Sequence, residues 1–402
     1  MKEGWTNCKI GDICSITDFV SNGSFASLRE NVKYYNSPNY AVLVRLADAS
    51  NGFDKSRFVY TDEHGYNFSK KSHLHGGELI MSNVGSVGSM FICPVMKQPM
   101  TLAPNTISIT SQNNRFLYYY FLSDGFKVKL NGITSSTTLK KFNKTNFKLL
   151  EITIPSLSEQ QSIVDYLDSA FAKIDTLKAN AEKALNEAKA LFQASLKEML
   201  EPKEGWEEKK LGDIAEDSAD GPFGSNLKKE HYTTQKEVRI IQLSNIGEDG
   251  WREENTKYTT FEHLKNISRS EVEPNDIVIA KMMPAGRAIL CPSHEPKFVL
   301  SSDAVKIKLK KGMETRFILH SINSPYFRNE VYENVTGSGR VRTSLTKLRV
   351  CSIFLPPLSV QQSIVATLDS LKSKVDRLQA NYDKISQECD ALKQAILRQV
   401  FE

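Results

Sequence analysis

Long apolar runs and paired cysteines are both missing from this chain of 402 residues. No run approaches the roughly 18 apolar residues that span a membrane, and the first residues form a motif that recurs later rather than a secretory signal. The six cysteines are scattered without a C-x-x-C pair, and His64, His73 and His75 have no cysteine neighbour that would suggest a zinc site. We therefore expect a cytoplasmic protein with reduced thiols and no membrane contact.

A strong excess of one charge is missing as well. The net charge is +5, which is weak support for nucleic-acid binding when taken alone. Its distribution is uneven, because residues 1–156 carry +6, residues 157–200 carry −2 and the remainder is close to neutral. The basic surplus thus belongs to the first part of the chain and not to the segment that follows it.

Recognisable catalytic motifs are scarce. The Glu-x-Lys spacings at Glu201-Pro202-Lys203 and Glu207-Glu208-Lys209 lack the strand and Pro-Asp that precede such a motif in nucleases. Asn323-Ser324-Pro325-Tyr326 resembles the N-P-P-Y loop of amino-methyltransferases, but no Gly-rich loop before a helix offers a site for the methyl donor. We interpret Asn323 to Tyr326 as a turn that ends a helix and expect no catalytic residue.

What the chain does contain is a repeat of about 200 residues. Lys2-Glu3-Gly4-Trp5 returns as Lys203-Glu204-Gly205-Trp206, and Leu157-Ser158-Glu159-Gln160-Gln161-Ser162-Ile163-Val164 returns as Leu358-Ser359-Val360-Gln361-Gln362-Ser363-Ile364-Val365. Both pairs are separated by the same offset of 201 residues. A shared offset across such a distance indicates a duplicated unit, much longer than the repeats of solenoid proteins.

Each Gln-Gln motif is followed by an apolar pattern with alternating spacings of four and three, which predicts one long helix of about 43 residues. Ser158 with Gln161, and Ser359 with Gln362, fit the capping box that begins a helix. The predicted seam is Ile163, Leu167, Ala170, Ile174, Leu177, Ala181, Ala184, Ala188 and Leu191, and then Ile364, Leu368, Leu371, Val375, Leu378, Tyr382, Ile385, Cys389, Leu392 and Ile396. Residues expected to pack the helices or dock partners are Gln160, Gln161, Leu167, Ile174, Leu177, Gln361, Gln362, Leu368, Val375 and Leu378.

The small residues of the first seam complement the larger ones of the second, which favours antiparallel pairing of the two helices within one chain over a parallel or intermolecular coiled coil. The segments before the helices alternate short strand-like runs with buried helices, the pattern of α+β domains. The predicted division is a domain at 1–156, a helix at 157–200, a second domain at 201–357 and a second helix at 358–402.

Loops that mix Gly, Ser, Thr and Asn with basic residues are candidates for contact with phosphates and base edges, since small hydroxyls donate to phosphate and Arg forks onto guanine. One such loop also suits an ordinary surface turn, but recurrence in both copies favours recognition. The candidates are Asn22, Ser24, Ser27, Arg29, Ser136, Thr137, Lys140 and Lys141 in the first copy, and Ser225, Asn226, Lys228, Lys281, Arg287, Ser338, Arg340, Arg342, Thr343 and Ser344 in the second.

Taken together, the repeated E-G-W motif, the L-S-x-Q-Q-x-I-V motif at each helix start, Gly221-Pro222-Phe223-Gly224-Ser225 and the Gly-Ser-Gly-Arg loop resemble the specificity subunit of type I restriction-modification systems. The resemblance covers the whole chain. The first copy departs from it at Ala26, where the second copy has Gly224, and carries an insertion near residues 142–146.

The resemblance implies a non-catalytic DNA-binding subunit with two target-recognition domains, each reading one half of a bipartite asymmetric site, related by a pseudo-twofold axis. The expected partners are double-stranded DNA, two modification subunits and a restriction subunit. S-adenosylmethionine, ATP and magnesium would bind to those partners, with no cofactor on this chain. The alternatives are a stand-alone methyltransferase or nuclease, and a coiled-coil adaptor without DNA affinity.

Overall fold

The computed structural model describes residues 4–135, 139–294, 297–333 and 342–402. It groups the chain into two compact units, Met1–Ala181 with Tyr382–Glu402, and Glu182–Asn381. Each unit contains one copy of the repeat and parts of two long helices. The four-part division drawn from the sequence stays a prediction about domains, because this grouping cuts the long helices instead of separating them.

Within the described residues, the first copy mixes short strands with short helices before its long helix. Its strands are β1 (Thr6–Lys9), β2 (Ser15–Asp18), β3 (Ala41–Val44), β4 (Tyr60–Thr61), β5 (His73–Leu74), β6 (Leu79–Ser82), β7 (Met90–Ile92), β8 (Met100–Leu102), β9 (Thr106–Thr110) and β10 (Glu151–Ile154). Its helices are α1 (Ile10–Ile13), α2 (Phe25–Asn31), α3 (Leu46–Ser50), α4 (Glu63–Phe68), α5 (Asn114–Leu122), α6 (Asp124–Gly132), α7 (Lys144–Lys148) and α8 (Leu157–Met199).

The second copy repeats this plan. Its strands are β11 (Glu207–Lys210), β12 (Ala215–Asp220), β13 (Tyr232–Thr233), β14 (Val238–Ile241), β15 (Tyr258–Thr259), β16 (Glu271–Val272), β17 (Ile277–Ala280), β18 (Ala288–Leu290), β19 (Phe298–Leu300), β20 (Ala304–Leu309) and β21 (Ser352–Leu355). Its helices are α9 (Leu211–Ile214), α10 (Phe261–Asn266), α11 (Thr315–Asn323), α12 (Pro325–Glu333), α13 (Leu345–Arg349) and α14 (Leu358–Phe401).

The sheets of the two copies have matching strand orders. The antiparallel sheet β2-β9-β6-β7 corresponds to β12-β20-β17-β18, and β4-β3-β8-β5 corresponds to β15-β14-β19-β16, which the second copy extends with β13. In both second sheets the central pair, β3 with β8 or β14 with β19, is parallel. The first and last strands of each copy, β1 with β10 and β11 with β21, pair separately.

Strand β6 shows why each copy needs three layers. All its residues are buried, and Leu79 and Met81 pack in the cluster that contains α5, whereas Ile80 packs in the cluster of the second sheet. Successive side chains of a strand point to opposite faces, so an all-apolar strand must be covered on both. In the second copy, β17 is divided in the same way, with Ile277 facing α11 and Val278 facing the second sheet. The predicted α+β class is confirmed.

The two long helices are confirmed, over 43 residues for α8 and 44 for α14. In the first unit, Lys393 Nζ lies 2.5 Å from Asp175 Oδ1 and Lys178 Nζ lies 3.5 Å from Asp390 Oδ1, so numbers rise along α8 as they fall along α14. The pairing is therefore antiparallel, as predicted. Neither of these helices, nor any shorter one in the described ranges, carries an apolar stretch able to cross a bilayer.

The predicted four-three spacing of apolar residues along α8 is correct. Residues seven apart form two columns on the surface of the helix, and one of the two predicted columns is displaced by one residue. Leu177 is 55% exposed, so the prediction that it packs in the seam is wrong, whereas Val164 and Leu185 of the neighbouring column are 4% and 3% exposed. That column is interrupted in the sequence by Lys178. In the structure the stem of Lys178 lies along the seam while its ammonium reaches Asp390, as long basic side chains commonly do.

The predicted capping boxes are also displaced. Helix α8 is capped by Ser156, whose Oγ accepts a hydrogen bond from Glu159 N at 3.3 Å, and Ser158 lies inside the helix with its carbonyl bonded to Ser162 Oγ. At the start of α14 the carbonyl of Pro357 accepts from the backbone of Gln361 at 3.1 Å. Helix α8 thus begins two residues after Pro155, and α14 begins directly after Pro357.

Candidate nucleic-acid interface

The repeated tryptophans anchor the beginning of each copy to its core. Trp5 packs against Phe116 of α5 with ring centroids 6.4 Å apart, and Trp206 packs against Phe317 of α11 at 6.1 Å. Offset aromatic pairs at these distances add stabilisation beyond their buried area. The E-G-W motif therefore belongs to the structural scaffold that the two copies share.

A second repeated motif, Gly11-Asp12-Ile13 and Gly212-Asp213-Ile214, permits a close approach of two short helices in each copy. A Cβ placed on Gly11 would lie 3.0 Å from Lys148 Cβ, and one on Gly212 would lie 2.9 Å from Arg349 Nε. Glycine therefore allows a close approach where α1 meets α7 and where α9 meets α13. Asp12 accepts a hydrogen bond from Lys9 N at 3.1 Å and fixes the turn that enters α1.

An ion pair that the sequence analysis missed joins each copy to its long helix. Arg115 Nη2 lies 2.7 Å from Asp168 Oδ1, and 201 residues later Arg316 Nη1 lies 2.6 Å from Asp369 Oδ2. Burial raises the pKa of Asp168, but hydrogen bonds from Arg115 and Tyr119 outweigh burial and leave it below its ordinary value. The shared offset of these Arg and Asp residues was the signal that could have revealed the pair.

The two glutamines of each Gln-Gln motif have different environments. Gln160 and Gln361 are each 6% exposed and donate through Nε2 to the carbonyls of Pro155 and Pro356, at 3.0 and 2.8 Å. Gln161 and Gln362 point outward and are exposed. The first glutamine therefore holds the helix entry in place, whereas the second lies at the surface, where Gln161 Nε2 donates to Asp165 Oδ1 at 2.9 Å.

Three loops of the first copy, two of which contain predicted candidates, meet at one end of the sheet β2-β9-β6-β7. The hairpin between β6 and β7 contacts the loop before α7, because Gly85 N donates to Lys140 O at 2.9 Å and Phe142 N donates to Asn83 O at 3.1 Å. The turn after β2 joins them through Lys144 Nζ, which lies 3.0 Å from Asp18 Oδ1. Loops that are far apart in sequence thus form one surface.

The second copy forms the corresponding surface with a different ion pair. Thr343 N donates to Lys281 O at 2.9 Å, which joins the hairpin between β17 and β18 to the loop before α13. Lys281 Nζ lies 2.7 Å from Asp220 Oδ1 at the end of β12. An Asp at the end of the first sheet strand is therefore paired in both copies, with a Lys from α7 in one and from the hairpin in the other.

The candidates of the first copy have distinct roles. Asn22 is held internally by Ser72 Oγ and the backbone of Phe19 and Lys71, and Ser24 caps α2 by accepting from Ser27 N at 3.2 Å. The exposed basic side chains are Arg29, Lys140 and Lys141. None of these three forms an ion pair with another residue that the structure describes, so their charges remain available to a ligand.

In the second copy, Ser225, Asn226 and Lys228 are exposed, while Arg342 is about half exposed and donates to Ser302 O at 2.9 Å. Ser344 caps α13 by accepting from Lys347 N at 3.3 Å. The remaining predicted residues, Ser136, Thr137, Ser338 and Arg340, lie outside the described ranges.

Three candidates of the second copy are more enclosed than the sequence suggested. Lys281 is 4% exposed and Thr343 is 4% exposed, so neither side chain presents itself freely at the surface. Arg287 has 12% of its side chain exposed and donates to Pro284 O at 3.2 Å, and burial lowers its pKa although Glu248 lies 4.0 Å away. We revise the expectation for these residues to supporting the loops rather than touching a ligand.

This revision gives a stability prediction for Lys281. Lys281→Ala leaves the carboxylate of Asp220 without its partner and is expected to lower the free energy of unfolding by about 1 to 3 kcal/mol. Because Asp220 is 29% exposed, water takes over part of the lost interaction. Chemical denaturation of the full chain measures the loss. The double variant Lys281→Met with Asp220→Asn should recover much of it, and equal losses in single and double variants would contradict the pairing.

Asn323 and the clustered histidines have structural roles. Asn323 ends α11, as the predicted turn requires, and its amide clamps β18 by bonding both backbone groups of Ala288, at 2.8 and 3.0 Å. His73 stacks on Tyr66 with ring centroids 3.7 Å apart, and His64 bonds Asn31. Across the ranges that the structure describes, no group of His, Cys, Asp and Glu is arranged to hold a metal ion.

Comparison with known proteins gives a consistent result over the whole chain. The family model described as type I restriction modification DNA specificity domain matches residues 2–187 and 203–387. The StySPI specificity subunit of Salmonella potsdam is 22% identical over 439 aligned residues, covering 100% of this chain and 89% of that protein. The EcoBI specificity subunit of Escherichia coli is 21% identical, covering 99% and 86%.

Two solved structures share the fold. A chain from a structure on complex assembly and conformational transition of the type I R-M system has a TM-score of 0.75 at 17% identity, covering 100% of this chain and 98% of that one. The HsdS subunit from Thermoanaerobacter tengcongensis has a TM-score of 0.56 at 17% identity, covering 100% and 97%.

Proposed function

The chain belongs to the family of type I restriction-modification DNA specificity domains, and we propose that each of its copies reads one half of a bipartite, asymmetric site in double-stranded DNA. One observation carries this proposal. The same three loops meet at the same end of the sheet in both copies, on a repeated frame, while the side chains they present differ. Two copies that share a scaffold but present different side chains in their loops suit the recognition of two different half-sites.

The exposed chemistry of the loops suits a duplex. In the first copy, Arg29, Lys140 and Lys141 offer cations for phosphate oxygens, and such contacts set affinity and position without reading sequence. In the second copy, Asn226 and Arg342 carry groups that can form paired hydrogen bonds with base edges in the major groove, Asn with adenine and Arg with guanine.

We further propose that the helix pair sets the gap between the half-sites. Helices α8 and α14 each contribute residues to both compact units. Each helix therefore connects one copy to the other. Interhelical contacts such as Lys189 Nζ to Gln379 Oε1 at 2.8 Å, and Lys393 to Asp175, support a stiff pair. A stiff antiparallel pair is suited to fixing a distance, which a flexible linker is not.

The starts of the two helices are proposed to dock two modification subunits. Leu157 and Leu358 occupy equivalent positions and are 50% and 47% exposed, next to the outward amides of Gln161 and Gln362. Exposed apolar groups beside exposed polar side chains are typical of protein interfaces. A restriction subunit would join the same assembly. S-adenosylmethionine, ATP and magnesium are proposed to bind to these partners and not to this chain.

Binding of the assembled complex to duplex DNA tests this function against the alternative of an adaptor without DNA affinity. The full chain is co-purified with its modification subunits, and binding to duplex pools is measured at increasing salt. We expect the logarithm of the binding constant to fall linearly with the logarithm of salt concentration, because bound cations are released from the phosphates. Absence of binding at every salt concentration would favour the adaptor.

Arg342 provides a specific test of base reading. Arg342→Ala is expected to relax one half-site at a cost of about 1 to 3 kcal/mol, the usual worth of a bidentate contact between Arg and guanine. Binding to pools with either half-site randomised measures the effect. Lys141→Ala, in the first copy, is the control. It should leave unchanged the preference for the half-site that Arg342 contacts. Uniform weakening across all sequences would instead identify Arg342 as a phosphate contact.

A further inference from the structure

Two phenylalanines protrude from the chain at equivalent positions of the repeat. Phe25 is 77% exposed and Phe223 is 73% exposed, and they are the most exposed aromatic side chains in the described ranges, followed by Tyr34 at 54%. Each is the third residue of a Gly-x-Phe-x-Ser sequence that follows the first strand of the antiparallel sheet, β2 in the first copy and β12 in the second. Scattered exposed apolar residues are ordinary, but the same exposed ring in both copies requires a common explanation.

The backbone beneath each ring is held firmly. In the second copy, a Cβ on Gly221 would lie 1.7 Å from Ser301 O, so the chain runs directly against that strand end. Asn226 N donates to Phe223 O at 2.7 Å, and His263 Nε2 bonds Asn226 O at 2.8 Å. The ring thus projects from a fixed turn.

The first copy reaches the same result by a different local structure. Phe25 is the first residue of α2, whose entry is fixed by the cap of Ser24, and Leu28, one turn further along that helix, is 3% exposed. The helix is therefore packed down on the domain while Phe25 stays outside. An exposed ring on an anchored element loses little conformational entropy on binding, which suits a side chain that inserts into a ligand.

Both rings stand beside the converging loops and their cations. Phe25 borders a cavity of about 610 Å³ that Arg29, Lys33 and Pro104 also line. Pro104 precedes Asn105, whose carbonyl accepts from Asn83 N at 3.1 Å in the hairpin loop. Phe223 is followed by the exposed Lys228 and Lys229. Cations around an apolar ring match a partly unstacked duplex better than the surface of a protein partner.

We infer that Phe25 and Phe223 are wedges, each inserting its ring between neighbouring base pairs of the half-site that its own copy binds and bending the duplex there. Apolar side chains that enter a base step unstack it, kink the helix and allow the bent DNA to touch more protein. This inference rests on the proposed function, since it requires that each copy binds DNA. It assigns to each copy a contact between a phenylalanine ring and the stacked bases. This contact does not depend on hydrogen bonds to base edges.

The test measures DNA bending and affinity with the complex of the full chain and its modification subunits. Fluorescence energy transfer between dyes flanking each half-site reports the bend. Phe25→Ala should abolish the bend in one half-site and lower affinity about tenfold, and Phe223→Ala should do the same in the other. Phe25→Leu should keep most of the bend, because leucine also serves as a wedge. All three changes are at exposed positions, so the fold should be retained.

A mismatch placed at successive base steps separates insertion from simple contact. Wild type should bind several-fold more tightly when the mismatch coincides with the inserted step, because that step is already partly unstacked. Phe25→Ala should gain nothing from a mismatch in its own half-site. Val95→Ala is the control for loss of exposed apolar surface, since Val95 is 82% exposed and follows β7, at the opposite end of the β6–β7 hairpin from Asn83.

The outcomes distinguish this inference from the proposed function. If wild type selects two half-sites but the alanine variants bend DNA as it does, the wedge is wrong and the proposed function stands. If the alanine variants fail to assemble with modification subunits in the absence of DNA, the rings are protein contacts and the inference is overturned. If wild type selects no site at all, the proposed function itself fails.

Discussion

Adding seven residues to each long helix, between Ala181 and Glu182 and between Asn381 and Tyr382, is expected to widen the gap between the half-sites by about three base pairs. A heptad extends a helix by about 10.5 Å, and B-DNA rises by about 3.4 Å per base pair. These positions fall where the chain passes from one compact unit to the other, so the contacts inside each unit are kept. Binding of the assembled complex to a series of duplexes with different spacers measures the preferred gap.

The matched control adds the heptad to α8 alone. Antiparallel pairs such as Lys189 with Gln379 then lose their register, and we expect assembly or DNA binding to be lost rather than shifted. The half-site sequences themselves should be unaffected by the double insertion. A preferred gap that stays at the native value after both insertions would contradict the proposal that the helix pair sets the spacing.

The second large effect is a loss of stability, and it is expected near the N-terminal ends of the two long helices. Leu167→Ala and Leu368→Ala should each lower the free energy of unfolding by about 2 to 5 kcal/mol, because both leucines are 0% exposed and their truncation leaves a cavity in the core. The two residues are equivalent, and each packs in the core of its own copy. Denaturant unfolding of the full chain, followed by circular dichroism, measures the first transition of each variant.

Leu177→Ala serves as the control on the same helix. Its side chain is 55% exposed, so the expected change is within about 0.5 kcal/mol. Leucine and alanine both favour helices, which keeps the comparison free of a propensity effect. A loss at Leu177 as large as that at Leu167 would restore the seam predicted from the sequence and contradict the displaced one.

The scaffold that the two copies share could be predicted from the sequence because its motifs occur twice. The long helices, their four-three period and the α+β class of both copies followed from spacing alone. The failed column of the seam has a local cause. Lys178 interrupts the correct column, and sequence patterns count it as polar although its stem packs in the seam. The predicted column has apolar or small residues at every position, yet its members Leu177 and Leu191 are exposed.

The loops were harder to interpret, because the partner that fixes a polar side chain is distant in sequence. Asn22 is held by Ser72, and Lys281 by Asp220, across 50 and 61 residues. Nothing in the local composition separates such a side chain from one that is free to bind a ligand. Exposure likewise marks Phe25 and Phe223, although a phenylalanine in a sequence is more often buried.

Selection from randomised duplex DNA tests the central claim most directly, namely that one frame carries two different recognition surfaces. The full chain, assembled with its modification subunits, is used to enrich duplexes from a pool, and the bound sequences are determined. The account predicts two short motifs of different sequence, separated by a gap of constant length and variable composition. Enrichment of one contiguous motif, or of none, would contradict it.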